Sequence, residues 1–473
     1  MFDRAKRYLT LQMLAAIDPQ KLTRLSERMA LKAFARAAAQ TPAYGHYLAS
    51  RGLDPQTIRS IEDFKGRVPI IDKDNTFRLY ATEIRKLCLL GEIKEVCSIL
   101  PSSGHSGCFS FGLNTKKELK KSRQTIDFML DVMFQVSRRK TLLINALPMG
   151  VRVHAEAVTV VDTSVRPDIV LGIVRSFAPC YEQVLLIGEN SFIKKVLEDG
   201  VEGGVDWKDI HLQIILGEII LAENLRSYMA GIVGIDPDAP QGEKMIASSF
   251  GVAEFGLNVF YETRALIRLR RLLQRDEKLR AALIGRELED LPALFHYDPL
   301  RIFVEEFETA DGPAQLVLTN LQEGTNIPLV RYNIKDEGLI LSFRRIKEVL
   351  GAAGLESYLP DLQLPVVAVW GRDKLSLPLP KGTLRPERMR EILYADPAVA
   401  SCVTGNFRIS AAKSGGLRLE VQAKERCDGL PSLEQHVRDA VLRHLPGAEI
   451  ILYPYRDFPY GMTLDYERKF RYI

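Results

Sequence analysis

Within the first seventy-five positions apolar residues recur three and four apart, most clearly in LTRLSERMALKAFARAAA, and that period predicts mostly helical structure. From about residue 93 the pattern changes. Short apolar runs (EVCSIL, KTLLINALPM, DIVLGIVRSF, QVLLIG, LQIILG and KMIASSF) alternate with helical stretches. That alternation predicts a layered α/β domain with a substantially parallel sheet. Residues 262–290 are charged with helical spacing and predict an insertion or a solvated surface helix. Between 300 and 345 the runs IFVEEFE, AQLVLTNL, LVRYNI and GLILSF predict four strands of a β-rich subdomain. Beyond residue 374 the chain restarts, with a helix expected over Pro386–Leu393, strands near 407–421, a helix from Ser432 to Arg443 and a strand at AEIILYP. About a hundred residues suffice for a separate small domain, so the boundary is expected near Lys374, giving domains 1–373 and 374–473.

Composition narrows the picture only a little. A chain of 473 residues, 46% hydrophobic and 26% charged, can bury a large core and divide into more than one domain. Its formal net charge of +4 gives no support to nucleic acid as a partner. No apolar run reaches the roughly 18–20 residues that cross a bilayer, and the start has no apolar core followed by a cleavage site; a cytoplasmic protein is expected. The six cysteines include no C-x-x-C pair, and the seven histidines form no close cluster. Neither a structural zinc nor a disulfide framework is expected.

Chemistry enters with four short motifs in order: SSGHSG at 102–107, FGVAE at 250–254, RYNIKD at 331–336 and WGRDK at 370–374. The first lies between a predicted strand (Val96–Leu100) and a predicted helix (Lys116–Val132). There, backbone amides and hydroxyls can cradle phosphate oxygens. It lacks the Gly-Lys-Ser/Thr ending of a Walker loop. Taken singly, SSGHSG reads as a small-residue turn and Glu254 as a surface or capping glutamate.

Taken together, the motifs resemble those of the ANL adenylate-forming enzymes, and within them the phenylacetate-CoA ligase-like branch. The stretch TPAYGHYLASRGLDPQTIRSIEDFKGRVPIIDKDN at 41–75 resembles the same branch, in a region without a catalytic role of its own. The resemblance spans nearly the whole chain. It implies a large N-terminal adenylation domain, a layered α/β body with a β-rich subdomain, followed by a small mobile α+β domain.

The resemblance also assigns roles. Ser102, Ser103, Gly104, Ser106 and Gly107 would hold the β- and γ-phosphates of ATP, with His105 in the place of the usual threonine. Phe250 and Gly251 would lie near the adenine, along with Gly217 and Glu218 of ILGE, and Glu254 would bind Mg²⁺. Ala253 replaces a residue that usually carries a hydroxyl. Asp336 would accept hydrogen bonds from the ribose hydroxyls, and Arg372 would contact ribose and phosphate. Lys374 would be the hinge, and Lys469 in the terminal DYERKFRYI the lysine that reaches the α-phosphate, although Arg468 stands where a glycine is usual. The acid pocket would draw on 144–157, 248–250 and 255–260, with His154, Ser249 and Phe255 as candidates.

The implied reaction joins a small-molecule carboxylic acid to AMP, releases pyrophosphate, and passes the acyl group to a thiol. Coenzyme A is the default acceptor; an acyl carrier protein, a protein cysteine and an amine are the alternatives. A homodimer is compatible with the resemblance. The opposed reading is a catalytically weakened nucleotide-binding scaffold, which His105, Ala253 and Arg468 favour and the retained Glu254, Asp336, Arg372 and Lys469 oppose.

Overall fold

The structure is a computed structural model that describes residues 18–102, 107–217, 220–285, 290–309, 312–372, 376–379, 382–412, 416–429, 431–460, 466 and 470–473. Contacts divide the chain into two units. The first comprises Met1–Ser137, His154–Ala157 and Ser249–Trp370; the second comprises Arg138–Val153, Val158–Ser248 and Gly371–Ile473.

In the first unit, helix α1 (Pro19–Gln40) begins at a proline, and the Asp18 side chain accepts from the Gln20 amide. Its buried residues Leu22, Ser26, Ala30, Ala33, Phe34 and Ala37 follow the helical period read from the sequence. Helices α2 (Pro42–Ser50) and α3 (Ile61–Arg67) follow, the latter opened by a reciprocal Ser60–Asp63 capping box. Next comes a hairpin of β1 (Val96–Pro101) and β2 (Phe111–Thr115), then helix α4 (Lys116–Phe134). The remaining strands are β3 (Ile246–Val252), β4 (Gly256–Tyr261), β5 (Ala293–His296), β6 (Ile302–Thr309), β7 (Gly312–Asn320), β8 (Tyr332–Leu341) and β9 (Val366–Arg372). They lie in the order β6-β7-β8-β9-β5-β4-β3.

Two expectations change here. The described part of 262–290 is not a solvated surface helix, because α5 (Arg264–Arg275) and α6 (Glu277–Ile284) pack Leu266, Leu269, Leu273, Leu279 and Leu283 into a core with Leu294, Val366 and Trp370. The charged positions hide a leucine stripe at helical spacing. The runs LVRYNI and GLILSF, expected as two strands, are largely one: β8 covers Tyr332–Leu341. Within it the pairing to β7 slips from Val317↔Asn333 to Gln315↔Glu337. This bulge holds Lys335 at φ +64, with its amide on Asn333 Oδ1 at 2.7 Å.

The second unit holds the expected parallel strands. Residues 246–248 pair with Leu212–Gly217, which pairs with Gln183–Glu189, then Thr141–Ala146, then Thr159–Asp162, all parallel. The apolar runs of Thr141–Ala146, Gln183–Glu189 and Leu212–Gly217 are buried almost throughout, which explains why they read as continuous rather than alternating. DIVLGIVRSF, expected as a strand, is the helix Pro167–Phe177. Pro167 fixes φ at the first turn, and Val170, Leu171 and Val174 form one buried face. Further along are a three-stranded sheet (Val403–Ala411, Leu417–Ala423, Glu449–Tyr453) and helices Pro386–Leu393 and Pro431–Leu442, close to the predicted bounds.

Candidate functional site

In sequence the SSGHSG motif falls between β1 and β2, so a strand separates it from the helix that the sequence placed next. The first turn of α4 is already satisfied: Thr115 Oγ1 accepts from the Glu118 amide at 3.1 Å and Glu118 Oε2 accepts from the Thr115 amide at 2.8 Å. An anion at this loop therefore depends on loop amides and side chains rather than on that helix end. Ser102 closes the loop, its amide donating to the Ser110 carbonyl and its Oγ accepting from the Ser110 amide, both at 2.9 Å. Gly107 is exposed with φ +73, a backbone that suits glycine. Ser103, Gly104, His105 and Ser106 lie outside the described residues.

The sequence reading gave the turn at 69–75 no chemistry, yet it brings an ammonium to this loop. Lys73 Nζ donates to Ser102 Oγ at 3.2 Å and to the Cys108 carbonyl at 3.5 Å. The turn is pinned to RYNIKD on its other side: the Ile71 amide donates to the Arg331 carbonyl (3.0 Å) and the Asn333 amide to the Ile71 carbonyl (2.8 Å). A side-chain pair repeats the link, Lys335 Nζ lying 2.8 Å from Asp72 Oδ2. Partial burial works to raise the Asp72 carboxyl, but Lys335 and the amides of Asn75 and Asp74 together hold it below its ordinary range.

RYNIKD is joined in turn to FGVAE. The Tyr332 hydroxyl donates to Glu254 Oε1 at 2.7 Å, and the Phe255 and Tyr332 rings lie 6.1 Å apart. Phe77, just after the lysine turn, sits edge-on to both Tyr332 and Phe111. At Gly112 a Cβ would come within 2.4 Å of the Ala253 carbonyl oxygen, so only glycine lets β2 approach the FGVAE backbone this closely. Arg331 is buried and structural. It pairs with Glu305 (3.2 Å) and donates to the carbonyls of Phe64 and Val68, tying α3 to the motif.

Phe111, Glu118, Thr125, Glu254, Phe255 and Arg301 line a cleft of about 1220 Å³. Burial raises the Glu118 carboxyl, against the lowering bonds from Thr115 and Thr325. Arg301 Nη2 donates to the Phe255 carbonyl at 3.0 Å and so braces that wall. Phe250 stacks on Phe260 at 5.6 Å, Gly251 is exposed, and Ser249 Oγ donates to Asn258 Oδ1 at 2.9 Å. Asp336 is 6% exposed and sits within the bulged part of β8, while His154 is exposed. In the second unit Gly217 ends its strand, half-buried, and Arg372 is exposed at the end of β9. Glu218, Lys374 and Lys469 lie outside the described residues.

A second polar cluster, which no motif announced, is buried in the second unit. Lys194 is fully buried, with Nζ 2.9 Å from Glu198 Oε1 and 2.8 Å from the Val403 carbonyl. Lys424 and the Tyr228 hydroxyl meet the same Glu198 oxygen at 2.6 and 2.7 Å. Burial drives Lys194 down to about 7 against the opposing pull of Glu198.

No family model matches the sequence, and no curated protein matches it. Among solved structures the chain is similar to 2-hydroxyisobutyryl-CoA ligase in the postadenylation state with R3-HIB-AMP. The TM-score is 0.69 at 13% identity, over 95% of this chain and 88% of that one. It is also similar to the same ligase with 2-HIB-AMP and CoA in the thioesterification state, with a TM-score of 0.58 at 13% identity, over 94% and 88% of the two chains. At such identities the likeness establishes a shared α/β fold.

Proposed function

We propose that the chain activates a carboxylic acid with ATP and passes the acyl group to a thiol, in the manner of the phenylacetate-CoA ligase-like adenylate-forming enzymes. The observation that carries this reading is the Tyr332–Glu254 hydrogen bond, which joins two motifs 78 residues apart at the cleft that Glu254 lines. The Lys73–Ser102 contact brings the phosphate loop to the same motif through the 69–75 turn.

In the first half-reaction a carboxylate oxygen attacks the α-phosphorus of ATP. The acyl oxygen–phosphorus bond forms, the bond to the bridging oxygen breaks, and pyrophosphate leaves. Ser102, Gly107 and the loop between them receive the terminal phosphates, with Lys73 adding positive charge at the loop's base. Asp336 accepts from the ribose hydroxyls, and the ring of Phe250 lies toward the adenine.

Glu254 fits a magnesium ion, since its carboxylate faces the cleft with one oxygen oriented by Tyr332. Such an ion, when bound, neutralises phosphate charge. Among the described residues no group of three or more acidic, His or Cys side chains is placed to hold a metal.

Lys469 supplies a further cation during adenylation. A turn about Lys374, at the boundary of the 374–473 domain, then admits the thiol, which attacks the acyl carbon and releases AMP. Coenzyme A is the proposed acceptor, with a carrier protein the second choice, and an aryl or medium-sized acyl acid the proposed substrate.

The test is ATP–pyrophosphate exchange over a panel of aryl and acyl acids. Acid-dependent exchange that falls about 10²-fold in Glu254→Gln supports the reading. Tight nucleotide binding with no exchange for any acid would replace it by the scaffold reading.

A further inference from the structure

The sequence spaces its cysteines without a pair, but the second unit brings two of them together. Cys427 Sγ lies 2.7 Å from Cys402 Sγ, 25 residues away along the chain. The backbone enforces this contact independently of the side chains. The Lys424 amide donates to the Cys402 carbonyl at 2.8 Å, and Val403, which starts one strand, pairs with Ala423, which ends its antiparallel neighbour. The short turn Glu425–Cys427, closed by the Cys427 amide on the Lys424 carbonyl at 2.8 Å, then folds Cys427 back over Cys402.

The two sulfurs are not equivalent. Cys427 is 5% exposed, and burial pushes its thiol up to about 11, so it stays protonated and donates to Cys402. Cys402 is half-buried, and two cations lean on the carbonyl just before it: Lys424 Nζ at 2.6 Å and Arg426 Nη2 at 3.2 Å from the Ser401 oxygen. Cys402 is the more accessible of the two sulfurs and is the one an oxidant from solution meets first.

We infer that Cys402 and Cys427 form a reversible disulfide site, with Cys402 the attacking and Cys427 the resolving sulfur, and hydrogen peroxide as the oxidant. The Cys402 thiolate attacks one peroxide oxygen; the S–O bond forms, the O–O bond breaks, and the departing hydroxide takes up the proton that Cys402 had released. The Cys427 sulfur then attacks the sulfenyl sulfur of Cys402. The S–S bond forms, and the hydroxyl leaves as water with the proton from Cys427. Two thiols and one peroxide give one disulfide and two waters, and an added dithiol reverses the change. The bond staples the turn that carries Lys424, whose ammonium reaches Glu198.

The experiment uses the full chain, treated with hydrogen peroxide, blocked by alkylation in denaturant and mapped by mass spectrometry. Titratable thiols are expected to fall from six to four, with one linked peptide pair joining Cys402 to Cys427 that dithiothreitol dissolves. Cys180→Ser should leave that linkage intact, whereas Cys402→Ser should abolish it and leave Cys427 open to alkylation. Recovery of Cys402 as sulfinic acid, or of both cysteines alkylated after oxidation, overturns the inference. Should Cys402→Ser not fold, the peptide map of the unsubstituted chain decides by itself.

Discussion

The two polar clusters make opposite use of similar groups. In the second unit Lys194, Lys424 and Tyr228 converge on one carboxylate oxygen of Glu198, with Lys194 and Glu198 themselves buried. In the first unit Lys73, Asp72, Lys335, Glu254 and Tyr332 are spread over a loop, a turn and a bulged strand, and of these Glu254 lines a cleft. The most strongly displaced lysine among the described residues is in the closed cluster. Perturbed titration marks burial as readily as it marks chemistry, and what separates the two is a cleft beside the group and a partner left for a ligand.

The largest effect expected from this contrast is on stability. Glu198→Ala leaves Lys194 and Lys424 without their shared carboxylate and should cost about 3–5 kcal/mol in chemical denaturation, with acid activation per folded molecule unchanged. A variant that stays stable but loses exchange would reverse the roles of the two clusters. The same cluster sets a pH dependence. Because the folded pKa of Lys194 is depressed to about 7, the unfolded chain binds more protons between there and the ordinary lysine range. The contribution of Lys194 to stability therefore rises with pH across that window, and Lys194→Met should flatten the rise in a denaturation series.

Next in size is Glu254→Gln, for which a loss of about 10²-fold in exchange, or roughly 2–3 kcal/mol of transition-state stabilisation, should leave the denaturation midpoint nearly unmoved. Tyr332→Phe removes the buried hydroxyl on that carboxylate and should cost about 1 kcal/mol of stability, with a smaller fall in exchange. The smallest effect belongs to the part-exposed Lys335–Asp72 pair. Lys335→Ala should cost no more than about 1 kcal/mol, less in high salt. The Asp72 share of that stability is present at neutral pH and lost as pH falls through its lowered pKa, which acid titration of wild type and variant can check.

Much of this was legible from residue order. Strands with both faces buried declare themselves as unbroken apolar runs, and QVLLIG and LQIILG could be read directly. DIVLGIVRSF could not, because a short apolar run fits either period until Pro167 and the spacing of Val170, Leu171 and Val174 are weighed together. The motifs singled out Glu254, Asp336 and Ser102, but not Lys73, whose place at the loop is set by a long-range pairing of Ile71 with Tyr332. Nor could the pattern show the slip in β8, since a bulge leaves the composition of a strand unchanged. The one signal available for Lys73 was its position four residues after Pro69, in a stretch whose resemblance carried no chemistry.

The near-contact of Gly112 with the Ala253 carbonyl also redistributes mutational freedom. What β2 meets at position 253 is main chain, so the neighbour constrains where that residue's backbone runs and is indifferent to its side chain. An alanine can stand there without disturbing the hairpin, and a library at 253 should tolerate small residues broadly. The intolerance is displaced to position 112, where even one added methyl must push a carbonyl aside, so a drift in the identity of one motif is underwritten by the fixity of a glycine that belongs to none.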